Sequence, residues 1–392
     1  MPVERADIYL DHAATTPVDQ RVLEAMIPFF NSRFGNPSSP YALGRDARAA
    51  VDWARGTLAA IINCAPSELT MTSGATESDN IAVKGVAWRS RDIQPQRNRI
   101  LVSAIEHHAV LHAADAMSAH GFVVDMVQPD SDGIVQPQTV AEMLSPETCL
   151  VSIMLANNEI GTIQPVREIA TIVREAGAVM HTDAVQAAGA ERLDVESLGV
   201  DLLSLSAHKF YGPKGTGLLY CRRGTPIAWQ QHGGAQEGSR RAGTENTPGI
   251  VGMAVALLLA TEEMDARNAH CAALRDRLVE GILERVPDAR LNGHAALRLS
   301  NNANLTFAGV DGEALVLSLD LAGIAVSSGS ACTTGSTEPS HVITALGVSQ
   351  NLAGGSLRLT VGKDNTIAEI DAAIVAIAET VARVREITSI TD

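Results

Sequence analysis

The sequence predicts an α/β fold built on a mostly parallel sheet, with a second, smaller domain after it. Two patterns carry this. Between residues 47 and 221, short apolar runs alternate with stretches of helical period, and beyond a long helical stretch at about 248–284 a second set of short apolar runs follows. Taken in order, 47–62 reads as a helix, 69–72 as a strand, 78–89 as a helix, 100–104 as a strand and 110–119 as a helix. Residues 122–127 and 150–154 read as strands, 166–176 as a helix, and 178–182, 202–206 and 217–221 as strands. Strands separated by helices need crossover connections, so the sheet is mostly parallel and covered on both faces. Ligands of such sheets sit beyond the carboxyl ends of the strands. Residues 248–284 read as a helical connector. The runs 305–307, 325–326 and 357–360, with flanking helices, make the smaller domain. Residues 31–39 and 333–339 are polar and rich in Gly, Pro, Ser and Thr, as loops are.

A chain of 392 residues can bury a large core. Aromatic residues are only 3%, so aliphatic side chains must fill it. The net charge of −15 repels phosphates, which argues against nucleic acid as a partner and suits a basic protein. No apolar run reaches the length of a membrane span. The cysteines, Cys64, Cys149, Cys221, Cys271 and Cys332, stand far apart with no paired or metal-ribbon spacing, which fits a reducing cytoplasm.

Lys209 follows an apolar run and precedes a glycine-rich turn, Ser206-Ala207-His208-Lys209-Phe210-Tyr211-Gly212-Pro213-Lys214-Gly215. A lysine at the end of a buried strand is desolvated, which makes its amine a usable nucleophile. The other lysines are Lys84, Lys214 and Lys363. Asp183, in His181-Thr182-Asp183-Ala184-Val185-Gln186, ends another strand-like run. In the same sheet as a lysine, such a carboxylate suits the protonated ring nitrogen of pyridoxal phosphate. Gly74-Ala75-Thr76 opens a helix after a strand. Its amides suit a phosphate, although Thr76 with Asp79 equally fits a helix-capping box. His107 follows the strand at 100–104, with His108 as its neighbour and competitor. Arg358 stands in an apolar run, where its fork needs a carboxylate, either a ligand's or a structural partner's. Cys332 is flanked by small polar residues and reads as exposed and reactive, whereas the other four cysteines read as structural.

The chain resembles the cysteine desulfurases of the class V aminotransferase superfamily. The resemblance rests on Tyr9-Leu10-Asp11-His12-Ala13-Ala14-Thr15-Thr16-Pro17, Ser73-Gly74-Ala75-Thr76-Glu77-Ser78-Asp79-Asn80, Glu106-His107-His108-Ala109-Val110, Asn157-Asn158-Glu159-Ile160-Gly161 and Arg241-Ala242-Gly243-Thr244-Glu245-Asn246. Ser327-Ser328-Gly329-Ser330-Ala331-Cys332 followed by Glu338-Pro339-Ser340-His341 resembles the nitrogen-fixation and iron–sulfur-assembly branch. It implies a fold type I transferase: a large domain over 14–262 with a seven-stranded sheet, and a small α+β domain from 1–13 and 263–392 carrying the cysteine loop. It implies phosphate contacts from Ala75, Thr76, Ser206 and His208, and from Thr244 into the neighbouring subunit of a homodimer. His107 would stack on the ring, Asn158 and Gln186 would bond near the cofactor and substrate, and Arg358 would hold the substrate carboxylate. In the implied reaction Lys209 moves protons and Cys332 takes sulfur from L-cysteine, leaving L-alanine. No resident metal is expected, beyond Cys332 as a transient iron–sulfur ligand. The persulfide would pass to an iron–sulfur scaffold or another acceptor. A selenocysteine lyase or another class V aminotransferase or lyase is the alternative. The first block begins at Tyr9, so no signal or transit peptide is expected. Tyr41 and Gly238-Ser239 depart from the family pattern.

Overall fold

The computed structural model describes residues 8–328 and 339–391. A short strand β1 (Ile8–Tyr9) opens it. Seven strands then form one sheet: β2 (Leu69–Thr72), β3 (Arg99–Ser103), β4 (Val123–Val127), β5 (Thr148–Ser152), β6 (Val179–Asp183), β7 (Leu202–Ser206) and β8 (Gly217–Cys221). Their spatial order is β2-β8-β7-β6-β5-β3-β4. Only β8 runs against its neighbours, β7 and β2. The sheet is therefore mixed but mostly parallel. Strands β5, β6 and β7 are buried along their whole length, as expected of strands covered on both faces. The helices Ala42–Ile62, Val166–Glu175 and Thr247–Glu262 contribute to the core on one face. Ala75–Ile93 and His108–Ser118 cover the other.

The remaining strands are β9 (Ala289–Leu291), β10 (Asn302–Phe307), β11 (Ile324–Ala325) and β12 (Ser356–Thr360). β12, β10 and β9 form an antiparallel sheet, and β1 pairs in parallel with β11. Ile8 and Leu10 thus share a core with Leu278, Leu305, Phe307, Leu357 and Ile374. The single connector helix read from the sequence is two helices, Thr247–Glu262 and Met264–Arg285, broken at Glu263. The break lets the first bury its length on the large sheet and the second pack against the C-terminal helix Ile367–Thr391. Glu263 accepts from both Arg21 and Arg267 at 2.6 Å, which fixes the corner.

Candidate active site

The carboxyl ends of β2, β3, β6 and β7 converge on a cavity of about 520 Å³. Ala13, Ala14, Thr15 and Arg358 close its far side. The helix Ala75–Ile93 points its first turn into this space. Its N-cap is Gly74 with φ +155°, and no side chain caps it. The capping box is thereby corrected: Thr76 is already the second helical residue. The neighbouring Ser73 N–H goes to Glu77 at 2.7 Å, and Glu77 pairs with Arg241 at 2.9 Å. Uncapped amides and the positive end of the helix dipole therefore face the cavity beside Ser206 and His208. Gly217 on β8 makes room for this turn, since a Cβ there would lie 2.5 Å from Gly74 Cα.

Lys209 ends a single 3₁₀ turn after β7. Its Nζ donates to the Ala13 carbonyl at 2.6 Å and the Ala14 carbonyl at 2.8 Å. Lys214 also lines the cavity but is exposed. Asp183 is buried at the end of β6, and its Oδ1 accepts the Val185 N–H at 2.9 Å. Burial pushes its carboxyl up to about 6, against the opposing pull of the Val185 N–H and Lys209. His107 caps the helix His108–Ser118, its Nδ1 accepting the Ala109 N–H at 3.1 Å. Burial first, then Lys209, push its imidazole down to about 4, so it is neutral at pH 7. His107 lines the cavity; His108 instead turns to His112 and His341. His208 Nδ1 lies 3.1 Å from Thr15 Oγ1, and burial pushes it to about 4.

Asn158 lines the cavity, whereas Asn157 is buried in structural bonds to Ile105, Glu159 and Ile160. Gln186 donates to the Ala13 carbonyl at 3.0 Å. Arg358 on β12 is 3% exposed. It donates to Asp11 at 2.8 Å and to the Asn158 carbonyl at 3.1 Å, while its Nε has no partner among the described residues. Thr244 lies outside the cavity lining and is exposed. Cys332 lies outside the described residues. Of the two departures, Tyr41 is exposed, and Gly238-Ser239 forms a left-handed turn. Asp11, the carbonyls of Ala13 and Ala14, and Thr15 were not foreseen as site residues, although the block that contains them was.

The family pattern described as aminotransferase class V matches residues 8–373. A cysteine desulfurase IscS of Methanosarcina thermophila is 47% identical over 388 residues, 99% of this chain and 95% of that protein. The chain belongs to the class V aminotransferases, in their cysteine desulfurase branch. A cysteine desulfurase IscS of Dictyoglomus turgidum is 45% identical over 98% of this chain and 96% of its own. A solved NifS-like protein superimposes with a TM-score of 0.89 at 39% identity, over 96% of this chain and 99% of that one. A solved DndA from Streptomyces lividans gives 0.76 at 37% identity, over 90% and 99%. Cysteine desulfurases of this class depend on pyridoxal phosphate, and the donor set here fits it. The uncapped helix start suits the phosphate, Asp183 the ring nitrogen, and the Lys209 amine the aldehyde.

Proposed function

We propose that this cysteine desulfurase works through Lys209, Asp183, His107 and Arg358 in the one cavity, with Cys332 as its sulfur acceptor. The convergence of those four side chains on a single cavity is the observation that carries the reading. When bound, pyridoxal phosphate supplies an electron sink for a carbanion at the substrate's α-carbon. The chain supplies the rest. Amides of Ala75 and Thr76, with Ser206 and His208, hold the phosphate. Asp183 keeps the ring nitrogen protonated. His107, a neutral imidazole lining the cavity, would contact the cofactor ring, and Asn158 and Gln186 would orient cofactor and substrate. Arg358 would bind the L-cysteine carboxylate, and the Lys209 amine would take the proton from the substrate α-carbon and return it there in the product. The Cys332 thiolate attacks the substrate sulfur. A sulfur–sulfur bond forms, the carbon–sulfur bond breaks, and its electron pair stays on carbon, which is protonated to give L-alanine. The sulfur leaves as a persulfide for an iron–sulfur scaffold or another acceptor, with any cluster iron at Cys332 being cargo.

Two observations support Cys332. Burial pushes the thiols of Cys64 and Cys149 up to about 12, and those of Cys221 and Cys271 up to about 11, so none is a ready thiolate. The residues flanking 329–338 are also tied to residues of the cavity or to their neighbours. Ser327 exchanges backbone bonds with Arg358, and Ser340 Oγ donates to Glu159 at 2.5 Å, next to Asn158. The division into domains of 14–262 and of 1–13 with 263–392 belongs to this proposal, as does a cytoplasmic setting. A homodimer is supported by apolar side chains exposed on one chain, Phe30 and Phe34 at 64% each and Trp53 at 48%. Trp53 stands on the helix Ala42–Ile62, whose Arg48 pairs with Glu245 beside the exposed Thr244, which would meet the partner's phosphate. The deciding assay is alanine release from cysteine with no keto acid present. A requirement for a keto acid would make the protein a transaminase, and turnover of selenocysteine alone would make it a selenocysteine lyase.

A further inference from the structure

Beneath the cavity, the face of the sheet covered by the helix Ala75–Ile93 carries buried polar side chains in what is otherwise an apolar interface. Ser152 on β5, His181 on β6, Ser204 on β7 and Asp79 on the helix are all 0% exposed. His181 has both ring nitrogens engaged, Nδ1 at 2.8 Å from Ser152 Oγ and Nε2 at 3.0 Å from Ser204 Oγ. Asp79 Oδ1 lies 3.6 Å from that Nε2, too far for a hydrogen bond. Among the described residues neither Asp79 oxygen has a partner at hydrogen-bond geometry, and the Ser204 hydroxyl that faces it is engaged by His181, yet the residue lines the cavity. The strand register sets Ser204 opposite Asp183, so Asp79 and Asp183 border the same polar layer. Glu106 is a third buried carboxyl there. Its Oε1 accepts the Met154 N–H at 2.6 Å, and its Oε2 has no partner among the described residues.

The basic groups facing this layer are Lys209, His107 and His181. Both imidazoles are pushed down, chiefly by burial, to about 4 and about 3. On the adjoining helix His108–Ser118, His108 packs against His112 and His341, and His112 and Asp115 are exposed. Three buried carboxylates would therefore face one lysine. Like charges this deep cannot all ionise, and Asp79, which accepts no backbone N–H where Asp183 accepts that of Val185, is the one that keeps its proton. We propose that Asp79 is a neutral, proton-carrying positioning residue that leaves Asp183 as the single negative charge available to the cofactor's ring nitrogen. Burial, and after it the charge of Asp183, holds the Asp79 carboxyl well above the usual range, against the weaker opposing pull of the Ser204 hydroxyl. Glu106 is held up the same way. An ionised Asp79 would drive a proton onto Asp183, and the ring nitrogen would lose its counter-charge. This role rests on the reading of Asp183 as the ring-nitrogen carboxylate.

Infrared difference spectroscopy of the holoenzyme tests it through the carbonyl stretch of protonated carboxyls, with Glu106→Gln identifying the second such group. At pH 7 Asp79→Asn should lose one protonated-carboxyl band and keep the wild-type pH dependence of the cofactor absorbance. In Asp183→Asn the Asp79 band should fade at least about one pH unit earlier as pH rises, because the two groups are coupled. An unchanged band in Asp79→Asn, or equal titration with and without Asp183, overturns the proposal. His181→Asn guards against a variant that does not fold. Its spectrum should keep the same bands, whereas a new protonated-carboxyl band would mean that Asp79 was ionised against a protonated His181. Alanine release is a separate measurement, so failure of the desulfurase reading would not be mistaken for failure of this one.

Discussion

Replacing Arg358 with alanine removes a guanidinium that is 3% exposed and stands between Asp11 and the Asn158 carbonyl. Two losses follow, and they can be measured apart. The substrate carboxylate loses a buried charge-assisted partner, which costs about 2–5 kcal/mol when one side of such a pair is deleted. That corresponds to a weakening of cysteine binding by about 30-fold to 4,000-fold. The protein itself loses the 2.8 Å pair with Asp11, whose side chain is 18% exposed. Partial exposure puts that loss lower, on the order of 1–3 kcal/mol. Denaturant unfolding reads the second loss. Titration of the cofactor absorbance reads the first, with cysteine and with cysteamine, which has no carboxylate. Cysteine should weaken by the larger factor, and cysteamine should change little. Equal weakening of both ligands would refute the role of Arg358 in substrate binding and leave it a structural partner of Asp11.

Asp183→Asn should still fold and bind the cofactor, but turnover should fall by about 10²- to 10³-fold, as when an electrostatic group is removed from a reaction centre. Near-normal turnover would reject the counter-charge role. Gly217→Ala puts a Cβ 2.5 Å from Gly74 Cα, so it should destabilise the fold by about 1–3 kcal/mol and release the cofactor on dialysis. Retention of cofactor would mean that this turn does not hold the phosphate. His181 is pushed down to about 3 by burial, so between pH 6.5 and 3 the unfolded chain binds a proton that the folded chain refuses. Its presence therefore makes stability fall as pH falls through that window, by up to about 1.4 kcal/mol per pH unit, and has no effect above it. His181→Asn should flatten the slope between about pH 6 and 4; equal slopes in chemical unfolding would contradict a buried neutral imidazole.

Strand and helix order over 47–221 was legible because parallel strands buried on both faces give unbroken apolar runs. Lys209 and Asp183 were legible as strand-end residues for the same reason. The extent of pairing was not: β1 has only two residues, and its partner β11 lies more than 300 residues away. The break at Glu263 was hidden because apolar spacing continues through it while the partner core changes. Thr76 with Asp79 looked like a capping pair, since spacing cannot tell a second helical residue from an N-cap. Asn157 and Asn158 are separated only by which of them faces the cavity, Asn157 being buried in structural bonds instead. The carbonyls of Ala13 and Ala14 that receive Lys209 carry no side-chain signal at all. Asp79 and His181 meet only after the helix Ala75–Ile93 docks on the sheet, and neither residue type announces burial.

The most direct test of the central claim is mass spectrometry of wild type and Cys332→Ser after a brief pulse of L-cysteine. Wild type should gain one sulfur atom, mapped to Cys332, with alanine released in step. Cys332→Ser should bind cysteine and change the cofactor spectrum, but gain no sulfur and release no alanine. Sulfur found at Cys64, Cys149, Cys221 or Cys271, with the variant still turning over, would contradict the mechanism.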